Sequence, residues 1–403
     1  MKSKKFAVML LAAVFAFSGA AFAQEKAAEK VADVAPVKAE EPKALVDVSG
    51  LLYLDYAYFL GDQSKMSAGS DNSKTGEDTM RLNRIYLNFS KKFDDVWSAK
   101  VTLDGAGYDK YATYDKGTGD GVLTNNSKGS VVYVKNAYVE MKKSINPIDV
   151  KLTYGIQSTP VVGLADSMAG SRWIYNNYLE KSNDLLGTGG GTTKVAHSLD
   201  YASADMGIRA DVTVMKMVTF TGMYANGDGF KYTEDQKLTD KAYTGIVSIT
   251  PIKGLFVNGY YHNRDIVALS QGAKDDDEVT YKGAGVAWSD KLYKVGINYF
   301  MGNRDSKTPA DKADYTLMDM WANINLQAVA GMPILLYARY ATGETKYDLS
   351  TVKKADGSTY YAGIGYQFNK DIQVMLVYQS ITTNDGTVKL TDDTLYAKME
   401  VKF

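Results

Sequence analysis

The chain has no cysteine, two histidines and seven prolines in 403 residues. Without cysteine there are no disulfide staples, no thiolate nucleophile and no thiolate metal ligand. His197 and His262 are far apart in sequence, and no serine motif accompanies either. A Ser–His hydrolase and a histidine-built metal centre therefore lack their parts. These gaps predict a protein that is not an enzyme and carries no metal or cofactor. Long apolar runs are missing too. The run from Phe6 to Phe17 is 12 residues, short of the roughly 18 that a membrane-spanning helix needs, and no later segment does better. The formal net charge is −1, which is not the basic footprint of a nucleic-acid binder.

What is present begins with an export signal. Lys2, Lys4 and Lys5 precede the apolar run, and Ala21-Phe22-Ala23 forms a small-residue cleavage site before Gln24. Residues 1–23 thus read as a secretory signal peptide. Residues 24–45 are rich in Ala, Lys and Glu and contain Pro36 and Pro42. That composition lacks the apolar surface for a core, and it predicts a periplasmic tether, disordered or partly helical. Residues 46–403 hold the rest of the fold.

From Asp47 onward the hydropathy alternates with a period of two, the mark of strands with one apolar and one wet face. At the end of the chain Leu395, Ala397, Met399, Val401 and Phe403 alternate with Tyr396, Lys398, Glu400 and Lys402. Sixteen strands are predicted: 47–59, 79–90, 96–104, 130–143, 148–157, 204–214, 218–226, 241–250, 255–263, 279–288, 292–302, 314–328, 334–343, 358–368, 372–383 and 392–403. Short turns between them alternate with longer polar loops, among them 105–129 and 158–203. This is the layout of an all-β, transmembrane, antiparallel barrel in an outer membrane, with long loops outside and both termini on the periplasmic side. Strands of about ten residues match a tilted bilayer crossing, and lipid demands a closed edge. A soluble sandwich also alternates, but the apolar faces here include the small residues Gly245, Ala284 and Ala362, which a lipid-facing wall tolerates. The 30 tyrosines fit aromatic girdles.

A barrel of this size encloses water, so function belongs to the inward face. Parity places Asp55, Arg84, Lys100, Asp104, Glu140, Asp149, Lys151, Arg209, Asp211, Asp319 and Arg339 there. Mixed charge predicts weak ion selectivity and a transverse field. Each residue has an alternative reading, as a solvated wall group or half of a bracing ion pair. Gly187 to Lys194 lacks the ending of a phosphate loop, Asp115 to Gly121 lacks calcium-loop spacing, and Asp275 to Glu278 is an acidic tip.

The layout, the terminal Phe403 on its alternating strand and the stretch Tyr154-Gly155-Ile156-Gln157-Ser158-Thr159-Pro160, followed by Gly163-Leu164 and Ser171-Arg172, carry a family likeness. The chain resembles the sixteen-stranded general porins of bacterial outer membranes, and loosely the phosphate-selective ones. Gln157 departs from that family's spacing, and their basic binding ladder is not evident, so phosphate selectivity is not implied. The resemblance implies a homotrimer, with the third loop (158–203) folded into the lumen to narrow it. Arg172 would then face wall carboxylates, with Asp166, Glu180 and Asp184 as the loop's acidic groups. The function expected is passive diffusion of small hydrophilic solutes and ions, in contact with outer-membrane lipid and lipopolysaccharide. Two alternatives stand beside it. One is a substrate-specific channel for an anion, an organic acid or a short saccharide, the last sliding along Tyr53, Tyr86, Tyr138 and Tyr337. The other is a non-transport anchor or adhesin, with 24–45 holding a periplasmic partner.

Overall fold

The computed structural model describes residues 46–60, 76, 78–106, 113–114, 123–124, 131–175, 177–180, 201–227, 229–230, 241–267, 276–305, 312–327, 331–347, 354–384 and 389–403. The signal segment, the tether, Asp184, His197 and the Gly187–Lys194 and Asp115–Gly121 stretches lie outside the described residues.

Alternation of apolar and polar residues produces strands because successive side chains leave opposite faces of an extended chain. The strands are β1 (Asp47–Phe59), β2 (Asp78–Lys92), β3 (Trp97–Ala106), β4 (Thr113–Tyr114), β5 (Leu123–Thr124) and β6 (Val131–Ile145). They continue with β7 (Ile148–Ser158), β8 (Ala204–Val214), β9 (Val218–Ala225), β10 (Ala242–Ile249), β11 (Leu255–Val267) and β12 (Asp276–Ser289). The last are β13 (Tyr293–Asp305), β14 (Ala313–Asn325), β15 (Ile334–Tyr347), β16 (Lys354–Gln367), β17 (Ile372–Asn384) and β18 (Lys389–Lys402). Sixteen of them close into one antiparallel barrel in which each strand pairs with its neighbour in sequence and β1 pairs with β18. β4 and β5 form a separate two-residue ladder inside the long connection from β3 to β6, where the hydropathy pattern predicts only loop. One helix, α1 (Pro160–Ala169), follows β7.

The two faces of the wall differ in kind. On β13, Val295, Ile297, Tyr299 and Met301 point outward and are exposed, whereas Asn298 and Phe300 between them are buried. Ile364 on β16 and Leu376 on β17 continue the exposed apolar band. In water a contiguous band of this kind is a liability; against lipid it is the solvent-facing surface. Exposed tyrosines edge the band in two rows. Tyr293 and Tyr299 lie six positions apart on β13, and Tyr360 and Tyr366 six positions apart on β16. That is the spacing of aromatic girdles on a short apolar belt.

Short turns share one end of the barrel, and three of them use the same device. Asp94 Oδ1 accepts from the amides of Val96 and Trp97, Asp290 Oδ1 from Leu292 and Tyr293, and Asn369 Oδ1 from Asp371 and Ile372. Short acceptor side chains fold the backbone in this way. Hydrogen bonds from the Tyr293 amide, the Trp288 indole and the Leu292 amide hold the Asp290 carboxyl below its ordinary value. The barrel seam closes at the last residue. Gly50 N–H donates to the Phe403 carbonyl at 2.6 Å, and Phe403 N–H donates back at 3.1 Å. A Cβ on Gly50 would meet the Phe403 ring at 2.2 Å, so glycine is what lets that ring lie over the seam.

At the opposite end the strands run further than their hydropathy indicates. β11 continues to Val267, β13 to Asp305 and β15 to Tyr347, and β16 begins at Lys354. There the outward positions carry polar residues such as Glu344, Lys346 and Lys354, while small residues such as Thr345 and Ala355 stay buried on the inward side, so the hydropathy no longer alternates while the ladder continues. Cross-strand polar pairs hold it there, such as Lys354 with Glu344 at 2.8 Å.

Candidate channel constriction

The described part of the β7–β8 connection packs against inward side chains. Pro160 opens α1 at a position where the missing amide costs nothing. Val161, Val162, Ala165, Met168 and Ala169 form its buried stripe. Gly170 ends it in the left-handed conformation, φ 63°, with its amide donating to the Asp166 carbonyl at 2.8 Å. A Cβ there would strike the Lys294 side chain of β13. Asn258 of β11 donates to Met168 Sδ at 3.2 Å, and Asn323 of β14 donates to the Ala169 carbonyl. Trp173, Ile174, Tyr178 and Leu179 are buried with Tyr53, Tyr86 and Tyr337 from the wall. The segment also closes on itself: Thr159 Oγ1 donates to the Ala202 carbonyl at 2.6 Å, and Tyr201 N–H to Leu179 O at 3.0 Å.

Arg172 lies at the centre of this segment. It donates to Glu180 at 2.6 and 2.9 Å and also to Asp166. The wall carboxylates expected across from it are not its partners. Its own loop supplies both acids, and the wall groups that feel its charge are Tyr53, Tyr86 and Arg84. The two carboxylates differ. Burial raises Asp166 above its ordinary value against the pull of Arg172, and the nearby Glu180 charge adds to the rise. Burial also opposes ionisation of Glu180, but the charge and hydrogen bonds of Arg172 outweigh it and hold that carboxyl low.

The wall charges stand in clusters. On β1, β2 and β18, Asp55 accepts from Lys398 at 3.2 Å and Asn83 at 2.9 Å, with Arg81 at 3.7 Å. On β2, β3 and β6, Asp104 meets Lys135 at 3.3 Å and Arg84 at 3.6 Å, and both cations also donate to the Tyr86 hydroxyl. Glu140 pairs with Lys142 at 2.6 Å. Asp211 takes Arg209 at 2.7 Å, Lys151 at 2.9 Å and the Thr221 hydroxyl at 2.6 Å. On β14 and β15, Arg339 grips Asp319 with two bonds of 2.8 and 2.7 Å, beneath the rings of Tyr178 at 4.6 Å and Tyr175 at 5.8 Å. Lys100 and Asp149 sit half-buried at inward register positions.

Parity did not find Lys135. In the β3–β6 ladder Thr102 faces Asn136 and Leu103 faces Val134, so Lys135 is the extra residue of a bulge. The bulge turns an outward position inward and buries Lys135 beside Asn136. The tyrosines proposed as a saccharide path are spent otherwise. Tyr53, Tyr86 and Tyr337 are buried under the 160–180 segment; Tyr138 is half-buried. The Gly155–Gln157 stretch has a local explanation. Gly155 holds φ 126°, and a Cβ would lie 2.2 Å from the Ala137 carbonyl. Gln157 Nε2 donates to the carbonyls of Thr153 and Gly207, both at 3.1 Å, and so satisfies backbone acceptors around the kink. His262 is buried against Thr244, Tyr201 and Tyr281. Among the described residues there is no cluster of metal-ligating side chains.

No family model matches the chain, and no curated protein matches it. Among solved structures it is similar to OmpT, an outer membrane protein of Vibrio cholerae, in a trimer form: TM-score 0.55, 16% identity, 89% of this chain and 99% of that one. It is similar to OmpF of Salmonella typhi in complex with daunomycin: TM-score 0.57, 12% identity, 89% and 97% covered. The outer membrane channel DcaP of Acinetobacter baumannii is a third, with TM-score 0.51, 11% identity, 89% and 97% covered. At these identities the likeness is one of fold. The class so defined is one of fold: a closed, sixteen-stranded antiparallel barrel like those of these outer membrane proteins.

Proposed function

We propose that this protein is an outer-membrane porin, a water-filled channel through which small hydrophilic solutes and ions diffuse down their own gradients. One observation carries the reading: the closed wall is apolar and exposed outside, while charged and hydroxyl side chains occupy its inward register. The 160–180 segment supplies size exclusion, and Arg172 with Asp166 and Glu180 forms the charged edge of the opening. The wall clusters act mainly as braces between neighbouring strands, with Arg84, Lys100, Asp104, Glu140, Arg209 and Asp211 contributing the field along the path. The signal segment 1–23 directs export, the barrel sits in the outer membrane beside lipid and lipopolysaccharide, and the working form is a homotrimer, a trimer form being known for one OmpT structure. The likeness to barrels described as channels supports this function.

The test is conductance of the purified protein in a planar bilayer. Discrete steps of open current are expected, with a reversal potential in a salt gradient that shows weak ion preference. A protein that inserts and gives no steps overturns the proposal.

A further inference from the structure

The barrel holds a cavity of about 660 Å³ between α1 and the inward faces of β6 to β11. Its size is that of a site for a small organic ligand. Apart from Lys143 and Val150 and the turn residue Lys216, the strand residues around it come from inward register positions, so it opens on the lumen.

Its lining is divided by chemistry. Five basic side chains border it, among them Lys142, Lys151 and Arg209, against two carboxylates, Asp149 and Asp211. Lys142 is matched by Glu140. Lys151 and Arg209 share one carboxylate, Asp211, which leaves one positive charge over. These two cations are not sealed: about 32% and 21% of their side-chain surfaces are open. The α1 side of the cavity carries Leu164, with Ile246 of β10 and Phe256 of β11 beside it. Leu164 and Phe256 are partly buried against the same apolar cluster. Hydroxyls of Thr219, Ser248 and Thr250 lie on the walls that join the charged and apolar sides.

We infer that this cavity is a lumenal subsite for a small organic anion with a compact apolar body, such as an aromatic or branched monocarboxylate. The carboxylate lies against Lys151 and Arg209, where charge-assisted hydrogen bonds are available. The hydrocarbon part lies on Leu164, Ile246 and Phe256. An inorganic anion has no use for that shelf, and an organic cation meets the surplus positive charge. The subsite deepens the porin reading and rests on it: such solutes would be held briefly during passage, because useful conduction requires binding weak enough to release.

The experiment is calorimetric titration of the detergent-folded protein with benzoate, benzylamine, benzyl alcohol and inorganic phosphate, paired with block of bilayer current by the same compounds. Benzoate is expected to bind saturably and to block current at matching concentrations. Benzyl alcohol and phosphate should be weaker by about tenfold or more, the loss of one charged or one apolar contact, and benzylamine should not bind. The double variant Lys151→Gln/Arg209→Gln should weaken benzoate by a similar factor. Should that variant fail to fold, Thr250→Asp adds a carboxylate to the cavity and is expected to do the same. Equal binding of benzoate and phosphate, absence of saturable benzoate binding, or undiminished affinity in a folded variant overturns the subsite. Failure of the channel reading is separate: it appears as absence of open-current steps, whatever the titration reads.

Discussion

Two arginine–aspartate pairs stand on the inner wall, and they differ most in what covers them. Arg339 and Asp319, on adjacent strands, expose 3% and 4% of their side chains, under the rings of Tyr178 and Tyr175. Arg209 and Asp211, two residues apart on one strand, expose 21% and 10% and border an open cavity. The same chemistry therefore does two jobs. Sealed from water, the first pair fixes the 160–180 segment to the wall. Left wet, the second is the one that contributes charge to the path in the proposed channel. Burial, more than residue type, separates brace from filter: loss of one partner strands a charge in the dry case, while water heals the gap in the other.

The comparison breaks most visibly at Arg339. Arg339→Ala leaves Asp319 buried without a partner, and the expected cost is about 3–5 kcal/mol of barrel stability. Urea unfolding of the refolded barrel in lipid vesicles, read by heat-modifiable gel mobility, measures it. The double variant Asp319→Leu/Arg339→Met should recover most of that loss, since an apolar pair of similar volume replaces a buried ion pair at little cost. Equal destabilisation by both variants would show that Tyr178 is seated by something other than the charge beneath it.

Arg209→Ala should cost about 1 kcal/mol or less in the same assay, because Lys151 still reaches Asp211. Its effect belongs in the current. Removing one positive charge from an open wall should move the reversal potential in a salt gradient toward cation preference, whereas the Asp319→Leu/Arg339→Met pair should leave it in place. A shift of equal size from both would erase the distinction between the two clusters.

Much of the barrel was legible in the residues. Period-two alternation located all sixteen wall strands, and the Asp and Asn of the short turns fell where local hydrogen bonds need them. What escaped has physical causes. Strand ends beyond the lipid band carry no hydropathy signal, since polar residues such as Glu344 and Lys346 face out and small ones such as Thr345 and Ala355 face in. Lys135 was hidden by a one-residue bulge, which defeats any parity count. α1 has a readable stripe of Val161, Val162, Ala165, Met168 and Ala169 behind Pro160, but ten residues make a weak helical pattern within a long polar connection. Register assigns each wall charge a side of the strand but says nothing of its partner: pairing depends on neighbouring strands and on bulges. Arg172 is the clearest case. Its residue type and setting invited a partner on the wall, yet the turn after α1 brings Asp166 and Glu180 to it first.

The smallest expected effect tests that loop cluster, which lies between the sealed and open extremes. Asp166 is shifted upward by burial, so its contribution to stability is present below its ordinary value of 3.8 and is lost as pH rises through its raised folded value. Glu180 is shifted downward by Arg172 despite burial, so its contribution is present above its ordinary value of 4.5 and is lost as pH falls through its lowered folded value. On acidification Asp166 therefore takes a proton before Glu180 does. Arg172 then keeps one ionised partner in place of two, and the edge of the opening becomes more positive by one charge. The reversal potential should drift toward anion preference over that interval, before the barrel loses stability. Asp166→Asn should show the acid-side preference already at neutral pH and flatten the drift, with little change in unfolding. An unchanged drift in Asp166→Asn would assign the titration to another carboxylate and remove Arg172 from the opening.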